Sequence, residues 1–187
     1  MNSLELAGYR AAVARMYLAD TDLAGFRADR AELFRTHPQA PVRDGLRYFA
    51  PDDAAVVEAT LTPAGGEIEI DTGGPDGVCR YRRVGLLSTP FGELSLWWFA
   101  AYGGGLFLPV RDGTCGPESY GGGRYLTDTV KGTHGRGLIP LGGDRVRLDF
   151  NYLYNPSCAY DDRWLCPLAP AENTVTAEIR AGELRYH

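Results

Sequence analysis

The chain has 187 residues, 24 glycines, 12 prolines and a formal net charge of −5. Its lysines and arginines are scattered along the sequence, which argues against a nucleic-acid or anionic-membrane surface. The N-terminus lacks a basic-then-apolar signal pattern, and the most apolar run, 94–110, is interrupted by Gly103, Gly104 and Gly105. A soluble, cytoplasmic protein folded as one domain over 1–187 is therefore expected.

Residues 3–36 read as helical. Leu6, Tyr9, Val13, Met16 and Tyr17 form one amphipathic stripe, and Leu23, Phe26, Arg30, Leu33 and Phe34 continue the helical period. Between them, 19–22 (ADTD) offers N-cap chemistry for a second helix, and His37-Pro38 ends the segment. From residue 45 the period shifts towards two. Strands are expected at 46–50, 55–62, 67–71, 77–83, 84–88, 93–101, 106–110, 146–150 and 174–180. Turn signals separate them, among them Pro51-Asp52, 63–66 (PAGG), Gly73-Gly74-Pro75 and 90–92 (PFG). The fold class is α+β, mainly β: an N-terminal helical segment (1–36) packed on an antiparallel β-barrel or bent β-sandwich in a β-rich body (45–187).

The densest chemistry lies in the long loop 151–173 and the strand end before it. Asp149, Asn151, Tyr152, Tyr154, Asn155, Cys158, Tyr160 and Cys166 fall there, and Pro156, Pro167 and Pro170 exclude a helix or central strand. Residues 108–126 form a second such stretch. There Gly121, Gly122 and Gly123 precede Arg124 and Tyr125, a hairpin-turn pattern that would also let backbone approach a ligand. Neither stretch is a P-loop or a dinucleotide fingerprint, and 131–137 (KGTHGRG) reads as a flexible basic turn. The spacing of Cys158 and Cys166 fits no usual zinc pattern, so no metal site is assigned. Reduced thiols are the expectation for the four cysteines without a secretory context. Cys158 with His134 is the one candidate nucleophile–base pair, and Asp112 with Asp149 the candidate acid–base carboxylates.

The run at 148–183, LDFNYLYNPSCAYDDRWLCPLAPAENTVTAEIRAGE, resembles the C-terminal signature of the bacterial domain-of-unknown-function family 1684. The pieces at 37–42 (HPQAPV), 46–49 (LRYF) and 106–126 (LFLPVRDGTCGPESYGGGRYL) are similar to that family too. The chain departs from the family pattern at Val110, where phenylalanine is usual, and at Ala169, where proline is common. The resemblance implies a soluble, β-rich bacterial protein with no assigned activity. It implies shared positions at Asp112, Tyr120, Gly123, Arg124, Tyr125, Asp149, Asn151, Asn155, Pro156, Cys158, Tyr160, Cys166, Pro167, Asn173 and Glu183.

Three functional readings follow. In the first, a small polar or anionic molecule binds at a barrel mouth formed by loops 111–125 and 149–173. Arg124 pairs its charge, Asn151 and Asn155 orient it, and Tyr120, Tyr125, Tyr154 and Tyr160 wall it in. In the second, an enzyme uses Cys158 or the Asp112/Asp149 pair on a small substrate. In the third, the loops are structural and the protein is an interaction module open to self-association through a sheet edge. The sequence names no cofactor.

Overall fold

The computed structural model describes residues 2–74 and 77–187, so Pro75 of the expected Gly73-Gly74-Pro75 turn lies outside the described residues. The helical segment is two helices, α1 (Ser3–Leu18) and α2 (Leu23–Thr36). The break falls where cap chemistry predicts it: Asp22 accepts from the Gly25 amide at 2.7 Å as N-cap of α2. His37, extended ahead of Pro38, ends that helix. No helix among the described residues is long and apolar enough to cross a membrane.

Eight strands form one antiparallel sheet, curled into a half-barrel. They are β1 (Val56–Pro63), β2 (Glu67–Asp71), β3 (Val78–Thr89), β4 (Gly92–Phe99), β5 (Leu106–Val110), β6 (Arg124–Asp128), β7 (Leu138–Gly142) and β8 (Arg145–Asp149). Their order is β6-β5-β4-β3-β1-β8-β7, with β2 beside β3. The mainly-β α+β class expected from the sequence holds. Among the described residues no ladder joins β6 to β7, so the barrel does not close. The two ends still approach each other at Gly137, where a Cβ would stand 2.3 Å from the Leu126 carbonyl oxygen.

Several expected elements differ. The pieces at 77–83 and 84–88 are one long strand, β3, with a register shift between Arg83 and Gly85 opposite β4. Of 46–50, only Tyr48 makes a bridge, to Glu183. The expected strand 174–180 is extended chain whose polar groups are taken up elsewhere. Arg124 donates to the carbonyls of Ile179, Ala181 and Glu183, and the Ile179 amide donates to Asp112 at 2.7 Å. The start of the segment pairs with 111–113 through a single bridge, Arg111 to Thr174, with the Val175 amide donating to the Arg111 carbonyl at 2.8 Å and the Gly113 amide to the Ala177 carbonyl at 2.9 Å, and beyond it side chains take over. Strand β7 went unrecognised because Pro140 and Gly142 break its alternation.

One face of the sheet carries an aliphatic core built on Leu87, Leu94, Leu96, Leu108, Leu126 and Leu148, into which Ile179 and Ala181 insert. The other face is aromatic, with Tyr81, Trp97, Phe107 and Tyr125 in one cluster. A file of rings runs from there to the helices: Phe107 to Tyr125 at 4.9 Å, Tyr125 to Tyr154 at 5.7 Å, Tyr154 to Tyr17 at 6.4 Å and Tyr17 to Phe26 at 4.9 Å. Edge-to-face pairs of this kind are favoured by the ring quadrupoles. The helices are thus seated on the aromatic face through Tyr154, a residue of the long loop.

Candidate functional site

Two buried arginines fix the helices around a cavity. Arg136, in the turn expected to be a flexible basic segment, is 9% exposed. It donates to the carbonyls of Tyr17, Ala19 and Thr21 and to the Tyr152 hydroxyl. The Tyr17 and Ala19 carbonyls are orphan acceptors at the end of α1, which a cation satisfies in both hydrogen-bonding and dipole terms. Arg30 projects from α2 into the interior, where Glu183 pairs with it at 3.2 Å and the Tyr48 and Tyr160 hydroxyls accept from it at 3.0 and 3.1 Å. The Glu183 carboxylate also accepts from the Tyr160 hydroxyl and from the Asn155 amide at 2.8 Å. Helix, loop and C-terminal segment therefore meet on one buried carboxylate.

Between α1, α2, residues 131–133 and the 154–166 part of the long loop lies a cavity of ≈ 310 Å³. Its walls are mainly aromatic and aliphatic, with Tyr9, Tyr17, Phe34 and Trp164 prominent, and four cations line it: Arg10, Arg30, Lys131 and Arg163. Among the described residues no carboxylate does. Two lining residues carry buried polar atoms with no hydrogen-bond partner among the described residues, the acceptor Oδ1 of Asn155 and the donor Nε1 of Trp164. A second hollow of ≈ 590 Å³ shares Arg10, Lys131 and Leu165 with the first, but Asp128 is in its wall and its charge is mixed. Burial pushes the Tyr9 hydroxyl up to about 12 and raises Tyr17 and Tyr154 further, so all three are neutral donors and acceptors near pH 7.

The two stretches singled out in the sequence do meet. Residues Tyr125 and Tyr154 form a bridge, the Tyr125 hydroxyl donates to the Pro167 carbonyl, and the Ala169 amide donates to the Gly122 carbonyl at 3.3 Å. The cavity, however, takes only Tyr154, Asn155 and Tyr160 from the residues expected to bind a ligand. Its opposite wall comes from the helices, not from 111–125. Arg124 is fully buried and its guanidinium is tied to Asp112, Thr114 and the three carbonyls of the C-terminal segment. Asn151 exchanges hydrogen bonds with the Asp52 backbone at 2.9 Å in both directions and joins Asp149, which caps the short turn 150–152. Tyr120 lies 3.8 Å from the Cys158 sulfur. Asn173 holds three elements together: it accepts from the Trp97 indole at 2.7 Å and donates to the Ser95 and Pro109 carbonyls, both at 2.8 Å.

The catalytic candidates are placed as follows. Asp112 is paired with Arg124 at 3.0 Å at the end of β5, and Asp149 sits at the end of β8, with β4, β3 and β1 between them in the sheet. Neither lines the cavity. His134 is exposed and makes no hydrogen bond to Cys158 among the described residues. The contact of the Cys158 sulfur is the Tyr120 hydroxyl at 3.8 Å. The titrations of Cys158 and Cys166 are linked: the Cys166 thiol is lowered, chiefly by the Cys158 thiol, while Cys158 is raised.

A curled antiparallel sheet carrying two N-terminal helices, with a loop-and-helix cavity on its aromatic face, is the class of structure these features define. The chain belongs to the family described as "Protein of unknown function (DUF1684)", which matches residues 43–184. It is also similar to an uncharacterized protein of Haloarcula marismortui whose structure was solved by solution NMR. The two share 35% identity and a TM-score of 0.57, over 86% of this chain and 92% of that one. No curated protein matches. Helices α1 and α2, which form one wall of the cavity, precede the residues matched by the family.

Proposed function

We propose that the protein binds a small anionic molecule with a flat apolar body in the cavity between the helices and the 154–166 loop, the whole chain acting as one domain. The observation that carries this reading is the lining: four cations and, among the described residues, no carboxylate around an aromatic space, in a chain of net charge −5. The volume is of the size that holds small ligands. Arg10 attracts the charge, with Lys131 and Arg163 beside it although they also face Asp128 at 3.7 Å and Asp161 at 3.0 Å, while Arg30 is neutralised by Glu183 and orders the floor. Tyr9, Tyr17 and Trp164 flank the apolar body. Asn155 Oδ1 and Trp164 Nε1 are buried groups whose desolvation a ligand's own donor and acceptor would offset. Tyr154 and Tyr160 shape the wall, and Tyr120, Arg124, Tyr125 and Asn151 act at one remove by holding the loop in place.

The test begins with native mass spectrometry of freshly purified protein, where added mass that disappears on denaturation identifies a resident ligand. Thermal unfolding with 1-naphthoate and its uncharged amide follows. At a hundred-fold excess over Kd a ligand stabilises by about 2.7 kcal/mol, or about 5–11 °C for a chain of this length. The carboxylate should raise Tm and the amide should not, and Lys131→Glu should diminish the response. A bare native mass together with equal responses to acid and amide, or none to either, would refute the reading.

A further inference from the structure

We infer that the site takes an N-acylated aromatic amino acid, its carboxylate at the boundary of the two hollows, its ring in the first and its acyl chain in the second. The inference rests on the anion-binding reading of the first cavity and adds the occupant of its neighbour. Among the described residues the two spaces have three lining residues in common, Arg10, Lys131 and Leu165. Two of the three are cations, so an anion held by them has a hollow on either side. A molecule with its charge at one end reaches only the space of ≈ 310 Å³ or that of ≈ 590 Å³. One with its charge at mid-length and an apolar arm each way uses both.

The second hollow suits an apolar arm. Tyr81, Phe99 and Phe107 line it, with Tyr81 to Phe99 at 5.4 Å and Tyr81 to Phe107 at 5.0 Å, so part of its wall is a run of touching rings. Three of the large hydrophobic side chains that the fold leaves exposed converge there: Val78, Val130 and Leu165, at 51%, 41% and 46%. An acyl chain laid between them covers apolar surface that the protein itself does not cover, which is the main driving force such a chain can offer.

The polar groups select the link between the two arms. Asp128, the one carboxylate that lines the second hollow among the described residues, is 5% exposed and stands 3.7 Å from Lys131. A ligand carboxylate drawn to Lys131 therefore approaches Asp128, and the group beside it must be a hydrogen-bond donor for the two to coexist. In an N-acyl amino acid the amide N–H is attached one carbon from the carboxylate, so it can face Asp128 while the carboxylate faces Arg10. Tyr81 is 5% exposed and its hydroxyl donates to no described residue, which leaves it for the acyl carbonyl. A plain fatty acid lacks the N–H, and a free amino acid lacks the second arm.

The test is isothermal titration calorimetry of the full chain at neutral pH with four probes: 1-naphthoate, N-acetyl-L-phenylalanine, N-hexanoyl-L-phenylalanine and N-hexanoyl-L-phenylalaninamide. Each buried methylene tightens binding about fourfold, so hexanoyl should bind more than about tenfold tighter than acetyl. The carboxamide should lose most of that affinity. Ala101 is exposed and lines the second hollow but not the first. A bulkier side chain narrows that hollow, and Ala101→Trp should bring the hexanoyl-to-acetyl ratio under about threefold. The inference is overturned if the wild-type ratio is already that small, if acid and carboxamide bind alike, or if a folded Ala101→Trp keeps the wild-type ratio. The two wild-type comparisons decide the matter where the variant fails to fold. Binding of 1-naphthoate with no gain from the longer chain overturns this inference alone, whereas absence of binding by every probe overturns the anion-binding reading with it.

Discussion

Replacing Asp112 by asparagine tests whether the Arg124 clamp is structural. In the wild type, one carboxylate oxygen accepts from Arg124 at 3.0 Å, and the other accepts from the Ile179 amide at 2.7 Å and the Thr114 amide at 3.2 Å. Every group facing Asp112 in these contacts is a donor. An asparagine amide presents one acceptor and one donor, so either rotamer sets an N–H against an N–H. The substitution also leaves the fully buried Arg124 guanidinium without a counter-charge. Removing one partner of a buried pair costs about 3–5 kcal/mol, and an orphaned donor about 1–3 more. Taking about 4 kcal/mol as the lower end, Tm should fall by about 8–16 °C for a chain of this length. Circular dichroism at 222 nm during heating reads it. Arg124→Met loses the carbonyl contacts at Ile179, Ala181 and Glu183 as well, and the double variant should cost clearly less than the sum of the two. A fall in Tm under about 3 °C for Asp112→Asn would mean that water or a flexible loop satisfies Arg124, and the clamp would be refuted.

Two further outcomes follow from the loop and its neighbours. Gly182 has φ +74°, and a Cβ there would stand 2.5 Å from the Leu153 carbonyl oxygen. Gly182→Ala should therefore cost about 1–3 kcal/mol or more in urea unfolding, and an unchanged midpoint would contradict the packing described. The pH dependence concerns Cys166, whose folded thiol lies below its ordinary value of 9.0 chiefly through the Cys158 thiol. A depressed folded value adds stability as pH climbs from that value towards 9.0, and this stability is lost as pH falls back through it. Alkylation of Cys166 by iodoacetamide should accordingly level off below the pH usual for a thiol. Cys158→Ala removes the main cause and should move that profile to higher pH, and coincident profiles would rule out the link.

Much of the framework was legible because local pattern and burial agree. Glu67–Asp71 alternates polar and apolar residues and is a strand with one covered face. Asp22 is an N-cap in sequence and in structure. The misreadings share a cause, which is that arginine on paper does not show its partner. Arg124 was expected at a ligand and Arg136 in a mobile turn, yet both bind main-chain carbonyls in the interior. Segment 174–180 has strand-like character, but it pairs with 111–113 only at its start, and at Ile179 the carbonyl is taken by Arg124 and the amide by Asp112, both at long sequence separation. The helical wall of the cavity was hidden for a different reason: Tyr9, Val13 and Tyr17 read as a packing stripe, and a stripe that packs can also face a hollow. One signal was available. Arg30 falls on the apolar stripe of α2, and a charge on a buried face requires a buried partner, which turned out to be Glu183.

That pair has a consequence for how the molecule assembles. Arg30 and Glu183 are 153 residues apart in sequence, and Tyr160 and Asn155 join the same carboxylate. Contacts of such separation bring a large loop-closure entropy into the folding barrier, and folding slows as they dominate. Synthesis delivers α2 well before Glu183. Without Glu183, seating α2 on the sheet would bury a guanidinium with no carboxylate to meet it, a cost that disfavours early docking of the helices. The ion pair therefore favours a path in which the C-terminal segment is in place before the helical roof closes.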